Sequence, residues 1–138
     1  MARELDAEAL RLLRTFESVT GVEALDCVVD EAHDRVAFVV PSGQLAAAIG
    51  PNGRTVEALE DRLGRDVHLV EMADRPEDFV ANSLRPAAVY GVAIEDDRAV
   101  VEVAEADRGA AIGADGRHIE LARTLAARHL DLEDVQLA

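Results

Sequence analysis

One twelve-residue segment occurs twice in this chain. Residues 46–57 read AAAIGPNGRTVE and residues 109–120 read GAAIGADGRHIE. Seven of the twelve positions are identical, Val56 answers to Ile119, and every residue lies 63 positions from its counterpart. In a chain of 138 residues that offset leaves room for two copies of a unit and no third. It therefore indicates a duplicated domain rather than a solenoid, and whatever elements surround the first copy must recur around the second.

The apolar pattern meets that requirement. Leu5, Ala9, Leu12, Leu13, Phe16 and Val19 recur at helical spacing, which predicts a helix over 4–19 closed by Gly21. Val- and Phe-rich runs at 24–29 and 35–40 predict strands joined by a turn at Asp30–Asp34. Pro41-Ser42-Gly43 breaks the second strand. A short apolar helix follows from Gln44 to Ile49. A second helix begins near Gly53 with Val56, Leu59 and Leu63 on one face, and Gly64 stands at its C-cap. Val67, Leu69 and Val70 predict a third strand. The programme then repeats. A helix opens at Pro76, where proline is tolerated, and carries Phe79, Val80 and Leu84. Strands are expected at 87–94 and 99–103, a short helix up to Gly113, a longer one from Gly116 to His129, and a last strand at Val135–Leu137. The polar link at 73–75 divides the chain into units 1–73 and 74–138.

Both copies of the repeat have one chemical feature. An apolar helix end runs into Gly-x-x-Gly, then arginine, then a new helix: Ile49-Gly50-Pro51-Asn52-Gly53-Arg54 and Ile112-Gly113-Ala114-Asp115-Gly116-Arg117. The first glycine is expected to end its helix in the left-handed conformation. The second lets the backbone turn into the next helix and leaves room for another backbone to approach. Amides at the start of that helix, together with its dipole, make a site for phosphate.

This pattern resembles the KH domain family, whose motif is I-G-x-x-G followed by a small or basic residue and an aliphatic one. The matching residues are Ile49, Gly50, Gly53, Arg54 and Val56, and Ile112, Gly113, Gly116, Arg117 and Ile119. The resemblance implies an α+β fold of two tandem type II KH domains, each α-β-β-α-α-β with a three-stranded sheet packed with helices. It also implies that each loop, residues 49–54 and 112–117 with Pro51, Asn52, Ala114 and Asp115 at the variable positions, clamps the backbone of about four nucleotides. Within that family the pairing is similar to NusA. The bacterial members carry two adjacent type II KH domains after a polymerase-binding and an S1 domain, and the archaeal ones resemble the KH pair alone. The link with its acidic residues and Pro76, the Phe79 helix and then Pro86-Ala87 reads like theirs. The implied role is transcription termination or antitermination in the cytoplasm. The implied partners are single-stranded RNA and RNA polymerase or its elongation complex, with no DNA and no membrane. A KH protein of rRNA processing or ribosome assembly, and a protein-interaction adaptor that has lost RNA binding, are the alternatives.

Charge bears on this directly. The chain carries a formal net charge of −14, and all its basic side chains are arginine. Acidic and basic residues are interspersed, so the acidity belongs to a folded surface rather than a tail. The pattern fits a cytoplasm at molar salt, as in halophilic archaea, where self-repulsion is screened; an acidic mesophilic protein is the other reading. Asp115 sets a carboxylate where the resemblance expects phosphate, which ranks the Asn52 loop above the Asp115 loop; alternatively Asp115 caps the helix after it. Ile49, Val56, Ile112 and Ile119 serve either a base-binding groove or the core.

Other chemistries find little support. Neither glycine loop ends in Gly-Lys-Ser/Thr and no GxGxxG occurs, so no enzyme is expected. The four histidines and the single Cys27 show no metal-ligand spacing, so neither a metal nor a cofactor is expected. Cys27 lies in an alternating strand pattern and is expected to be buried.

Overall fold

The computed structural model describes residues 6–138. These fall into two compact units, one ending at Met72 and the other beginning at Ala73.

In the first unit, α1 spans Ala7–Thr20. Asp6 caps it by accepting the Ala9 N–H at 2.8 Å, and Gly21, left-handed at φ 73°, closes it. The expected first residues of this helix, Glu4 and Leu5, lie outside the described residues. β1 (Asp26–Asp30) and β2 (Arg35–Val40) follow, then α2 (Leu45–Ile49), α3 (Arg54–Leu63) and β3 (Asp66–Glu71). The second unit repeats the order with α4 (Pro76–Ser83), β4 (Val89–Glu95), β5 (Arg98–Val103), α5 (Arg108–Ile112), α6 (Arg117–Leu130) and β6 (Asp134–Leu137).

Each unit holds one sheet, ordered β1-β2-β3 or β4-β5-β6. The first pair is antiparallel and the second parallel, with Phe38 opposite Leu69 and Val101 opposite Leu137. Antiparallel neighbours can be joined by a short turn, but parallel neighbours need a long crossover. The two helices flanking each Gly-x-x-Gly are that crossover, so the loop sits at the midpoint of the one connection the topology makes long.

Burial fixes the crossover in place. In the first unit Phe16, Phe38, Val40, Ala48 and Leu59 share one core, with the Phe16 and Phe38 rings 4.4 Å apart between centroids. Cys27 is buried in the same core as expected, and its thiol donates to the Ala9 carbonyl at 3.8 Å. In the second unit Val80, Leu84, Val101, Ala111, Ala122 and Val135 are among the core residues. Ala48 and Ala111, each just before a loop, are fully buried. A methyl-sized side chain there lets the short helix lie close to the sheet.

Some boundaries differ from expectation. The turn before β2 is a 3₁₀ turn over Glu31–His33 closed by Asp34 in the left-handed region, and Asp30 accepts the His33 N–H at 3.3 Å. β4 starts at Val89 rather than residue 87. The Ala87 N–H donates to the Leu84 carbonyl at 3.0 Å in a turn, and the Ala88 N–H to the Asp107 carboxylate at 2.9 Å, so both amides are committed elsewhere before the ladder begins. Burial would push the Asp30 carboxyl up, but the hydrogen bonds and charge of His33, with Arg35 alongside, hold it below its ordinary value.

A polar clamp ties α6 to β6. The Arg123 Nε donates to Asp134 Oδ1 at 2.9 Å, and Gln136 Nε2 donates to Asp134 Oδ2 at 2.8 Å. The Gln136 bond, aided by the Val135 N–H and by Arg123, outweighs desolvation and lowers the Asp134 pKa. A carboxyl whose folded pKa is depressed stabilises the fold above its unfolded pKa of about 3.9. That contribution is lost as pH falls through the folded value. In denaturant melts, Asp134→Asn should therefore be less stable than the wild type at neutral pH by under about 1 kcal/mol, because the pair is more than a third exposed, and the gap should narrow as pH falls below the ordinary carboxyl range. A gap constant with pH would contradict this. Leu59→Ala, which empties a fully buried site, should cost about 2–5 kcal/mol in the same assay.

Candidate nucleic-acid interface

The two Gly-x-x-Gly loops have nearly the same backbone. Gly50 lies at φ 77°, ψ 170° and Gly113 at φ 78°, ψ 170°. Asn52 is at φ 56°, ψ 28° and Asp115 at φ 54°, ψ 26°. Gly53 is at φ 73°, ψ 12° and Gly116 at φ 76°, ψ 13°. Each loop is one 3₁₀ turn, Pro51–Gly53 or Ala114–Gly116, set between two helices.

The first glycine, expected from the sequence to be left-handed helical, is not. It adopts positive φ with extended ψ, a region open essentially to glycine alone. Its missing Cβ is required a second time by packing. A Cβ on Gly50 would stand 2.0 Å from Thr55 Oγ1 and 2.9 Å from the Thr55 nitrogen, and one on Gly113 would stand 2.9 Å from the His118 ring. Thr55 and His118, which sequence reasoning passed over, thus press the start of the second helix onto the end of the first. The His118 Nδ1 bonds the Ala110 carbonyl at 2.9 Å and takes up an acceptor in the last turn of α5. The sequence signal was available: the fifth residue after the first glycine is polar in both copies.

The second glycine is the left-handed one, and it differs in surroundings. A Cβ on Gly53 would meet nothing within 4 Å, and on Gly116 only the Ile119 methyl at 3.9 Å. The backbone there opens toward solvent. Asn52 and Asp115 take the remaining left-handed position, which their short polar side chains tolerate better than most. Asp115 is therefore not the N-cap of α6. That position belongs to Gly116, as it belongs to Gly53 for α3, and neither supplies a side-chain cap.

Hydrogen bonding narrows which amides can serve a ligand. Gly50 N–H donates to Ala46 (2.9 Å), Gly53 N–H to Gly50 (3.1 Å) and Arg54 N–H to Pro51. In the second loop the Gly113 N–H donates to Gly109 (2.8 Å), the Gly116 N–H to Gly113 (3.1 Å) and the Arg117 N–H to Ala114. Most amides of residues 50–54 and 113–117 are thus committed inside the loop. The uncapped first turns of α3 and α6, at Thr55–Val56 and His118–Ile119, hold the positive end of each helix dipole. An acidic residue, Glu57 or Glu120, stands in the same turn, and Glu120 pairs with Arg123.

The remaining named residues separate by burial. Ile49 and Ile112 are 37% and 40% exposed, large apolar side chains held at the surface beside each loop. Val56 is half-buried, and Ile119, only 7% exposed, belongs to the core of its unit. Pro51, Asn52, Arg54, Ala114 and Asp115 are exposed and Arg117 is half-buried. Among the described residues no group of three His, Cys, Asp or Glu is placed to hold a metal ion, and no helix is long and apolar enough to cross a membrane.

Comparison with known proteins agrees with this geometry. Residues 14–74 match the KH domain family and residues 76–138 the NusA-like second KH domain family. The chain is 51% identical to the probable transcription termination protein NusA of Halobacterium salinarum, over 99% of each chain. It is 51% identical to that of Halococcus morrhuae over 97% of each. With the transcription termination/antitermination protein NusA of Bacillus subtilis it has 30% identity and spans 34% of that longer protein. The crystal structure of APE1850 superposes with a TM-score of 0.84 at 32% identity, covering 97% of this chain and all of that one. NusA-like KH proteins are RNA-binding factors and not enzymes. With one KH match on each unit and relatives aligned along nearly its whole length, the chain belongs to the NusA-like family of tandem KH-domain proteins.

Proposed function

We propose that the chain acts in transcription termination or antitermination by holding single-stranded RNA across its two glycine loops, alongside RNA polymerase in the cytoplasm. The observation that carries this reading is the pair of matching loops, each with an open second glycine, an uncapped helix start and an exposed isoleucine. A phosphate fits against Gly53 or Gly116, where no side chain intervenes, and faces the first-turn amides and dipole of α3 or α6. Arg54 and Arg117 add charge. A base lies on Ile49 or Ile112. Nothing is made or broken; the protein fixes the path of an RNA strand.

The net charge of −14 opposes this at low salt. At about 1 M salt the Debye length is near 3 Å and distant carboxylates hardly act. The slope for single strands is roughly −0.7 per phosphate neutralised, so two contacts lose about two decades between 0.1 and 3 M salt. Affinity then rests on direct amide hydrogen bonds and apolar contact, which salt weakens far less than long-range charge.

The loops offer a charge exchange that leaves the backbone alone, because Asn and Asp both accept the left-handed conformation. Asn52→Asp should weaken binding of short RNA pools and Asp115→Asn should strengthen it, each by up to about tenfold at 0.1 M KCl. Both effects should fade at about 2 M. Gly53→Asn keeps the allowed conformation but fills the open space, and should weaken binding at either salt. A folded wild type that binds no RNA would give way to the adaptor reading. RNA binding that ignores all three substitutions would place the site elsewhere.

A further inference from the structure

Each sheet ends in an outer strand, β1 or β4, but the residues of β4 are far more exposed than those of β1. β4 is an outer strand of its sheet and, among the described residues, pairs with β5 alone. All of its seven residues except Val89 and Val92 are exposed, whereas β1, the corresponding strand, has no exposed residue. Beyond a register slip at its start, β4 runs in unbroken register with β5 from Gly91 to Glu95. An edge strand presents unpaired N–H and C=O groups, and proteins usually blunt it with bulges, short length, lysine or proline. β4 contains neither residue type.

Its side chains add an anchor. The register slips between Val89 and Gly91, so Tyr90 is the extra residue of a bulge. The three phenylalanines of the chain are buried, while the Tyr90 side chain is 71% exposed, and Ile94 further along the strand is also exposed. The surroundings are acidic. Glu95 ends the strand, Asp96 and Asp97 form the turn after it, Glu102 lies across from Gly91, and the Asp107 carboxylate accepts the Ala88 N–H. The base among them, Arg98, is within 3.9 Å of Glu95.

We propose that β4 is a docking edge for an extended basic segment of a partner protein, which pairs with β4 as an added strand and sets an apolar side chain against Tyr90. Main-chain bonds would give affinity and alternate side chains specificity. The acidic rim favours a basic peptide over the phosphates of RNA. The loop at Gly113–Gly116 belongs to the crossover that leads into β6, the opposite edge of the sheet, so this site goes beyond the RNA reading and can fail or hold independently of it.

Amide hydrogen exchange read by NMR tests it, on the whole chain with a synthetic Arg-Val-Arg-Val-Arg-Val-Arg peptide in about 0.5 M KCl. The peptide should slow exchange of the outward amides of β4 by about tenfold. An Arg-Pro peptide of equal charge, which cannot complete a ladder, should not. Tyr90→Ser, at an exposed position, should weaken the Arg-Val peptide by about tenfold. Equal effects of both peptides, or none on β4, would overturn the proposal. So would β4 protection that grows with protein concentration alone, which would mark a second copy as the occupant. Perturbation of Tyr90 by oligouridylate and not by the peptide would assign the edge to RNA.

Discussion

The loops depend on one contact: the first glycine of each motif lies against the residue five positions later. Gly50 meets Thr55 and Gly113 meets His118 at distances that leave no space for a Cβ. This closeness folds the end of one short helix onto the start of the next within a single 3₁₀ turn. Without it the crossover between the parallel strands would still be long enough, but the two helices would not present their ends side by side. Everything placed at the surface there, the open second glycine, the uncapped helix start and the isoleucine beside it, follows from that fold-back.

The backbone of each loop is also held by its own hydrogen bonds and torsions. Three amides in each loop are already bonded, one back into the preceding helix and two within the loop. Two positive-φ residues follow the first glycine, one of them Asn or Asp and the other glycine. A preset backbone forms its contacts with little further loss of conformational freedom. That matters in an acidic protein, where long-range attraction for RNA is absent and short-range complementarity has to supply the affinity. The surface carries the cost of its acidity openly: the Glu133 pKa is raised, first by a hydrogen bond to Asp97 and then by that residue's charge, a crowding that concentrated salt relieves.

Much of this was legible in the sequence because the chain states it twice. The repeat located both loops and the six-element order, and helical and strand periodicity placed most elements within a few residues. What was not legible came from geometry that residue type leaves open. Glycine is compatible with both the left-handed and the extended positive-φ region, so only packing against Thr55 and His118 could assign Gly50 and Gly113. Asp115 is as good a cap as it is a left-handed residue, and the decision turned on Gly116 occupying the cap position. Ile112 and Ile119 are the same side chain seven residues apart, yet one ends a short helix at the surface and the other faces the core from α6. Strict alternation would put Tyr90 on the face of Val92 and Ile94; the bulge after Val89 shifts it out.

In the proposed mode of binding, RNA phosphates rest against the second glycine and the first-turn amides of the following helix. Amide chemical shifts of the labelled protein, followed during titration with a short single-stranded oligoribonucleotide in about 2 M KCl, test it most directly. The largest changes should cluster at Gly53, Thr55 and Val56 and, more weakly, at Gly116, His118 and Ile119. Saturable RNA binding that leaves both clusters unmoved would contradict it.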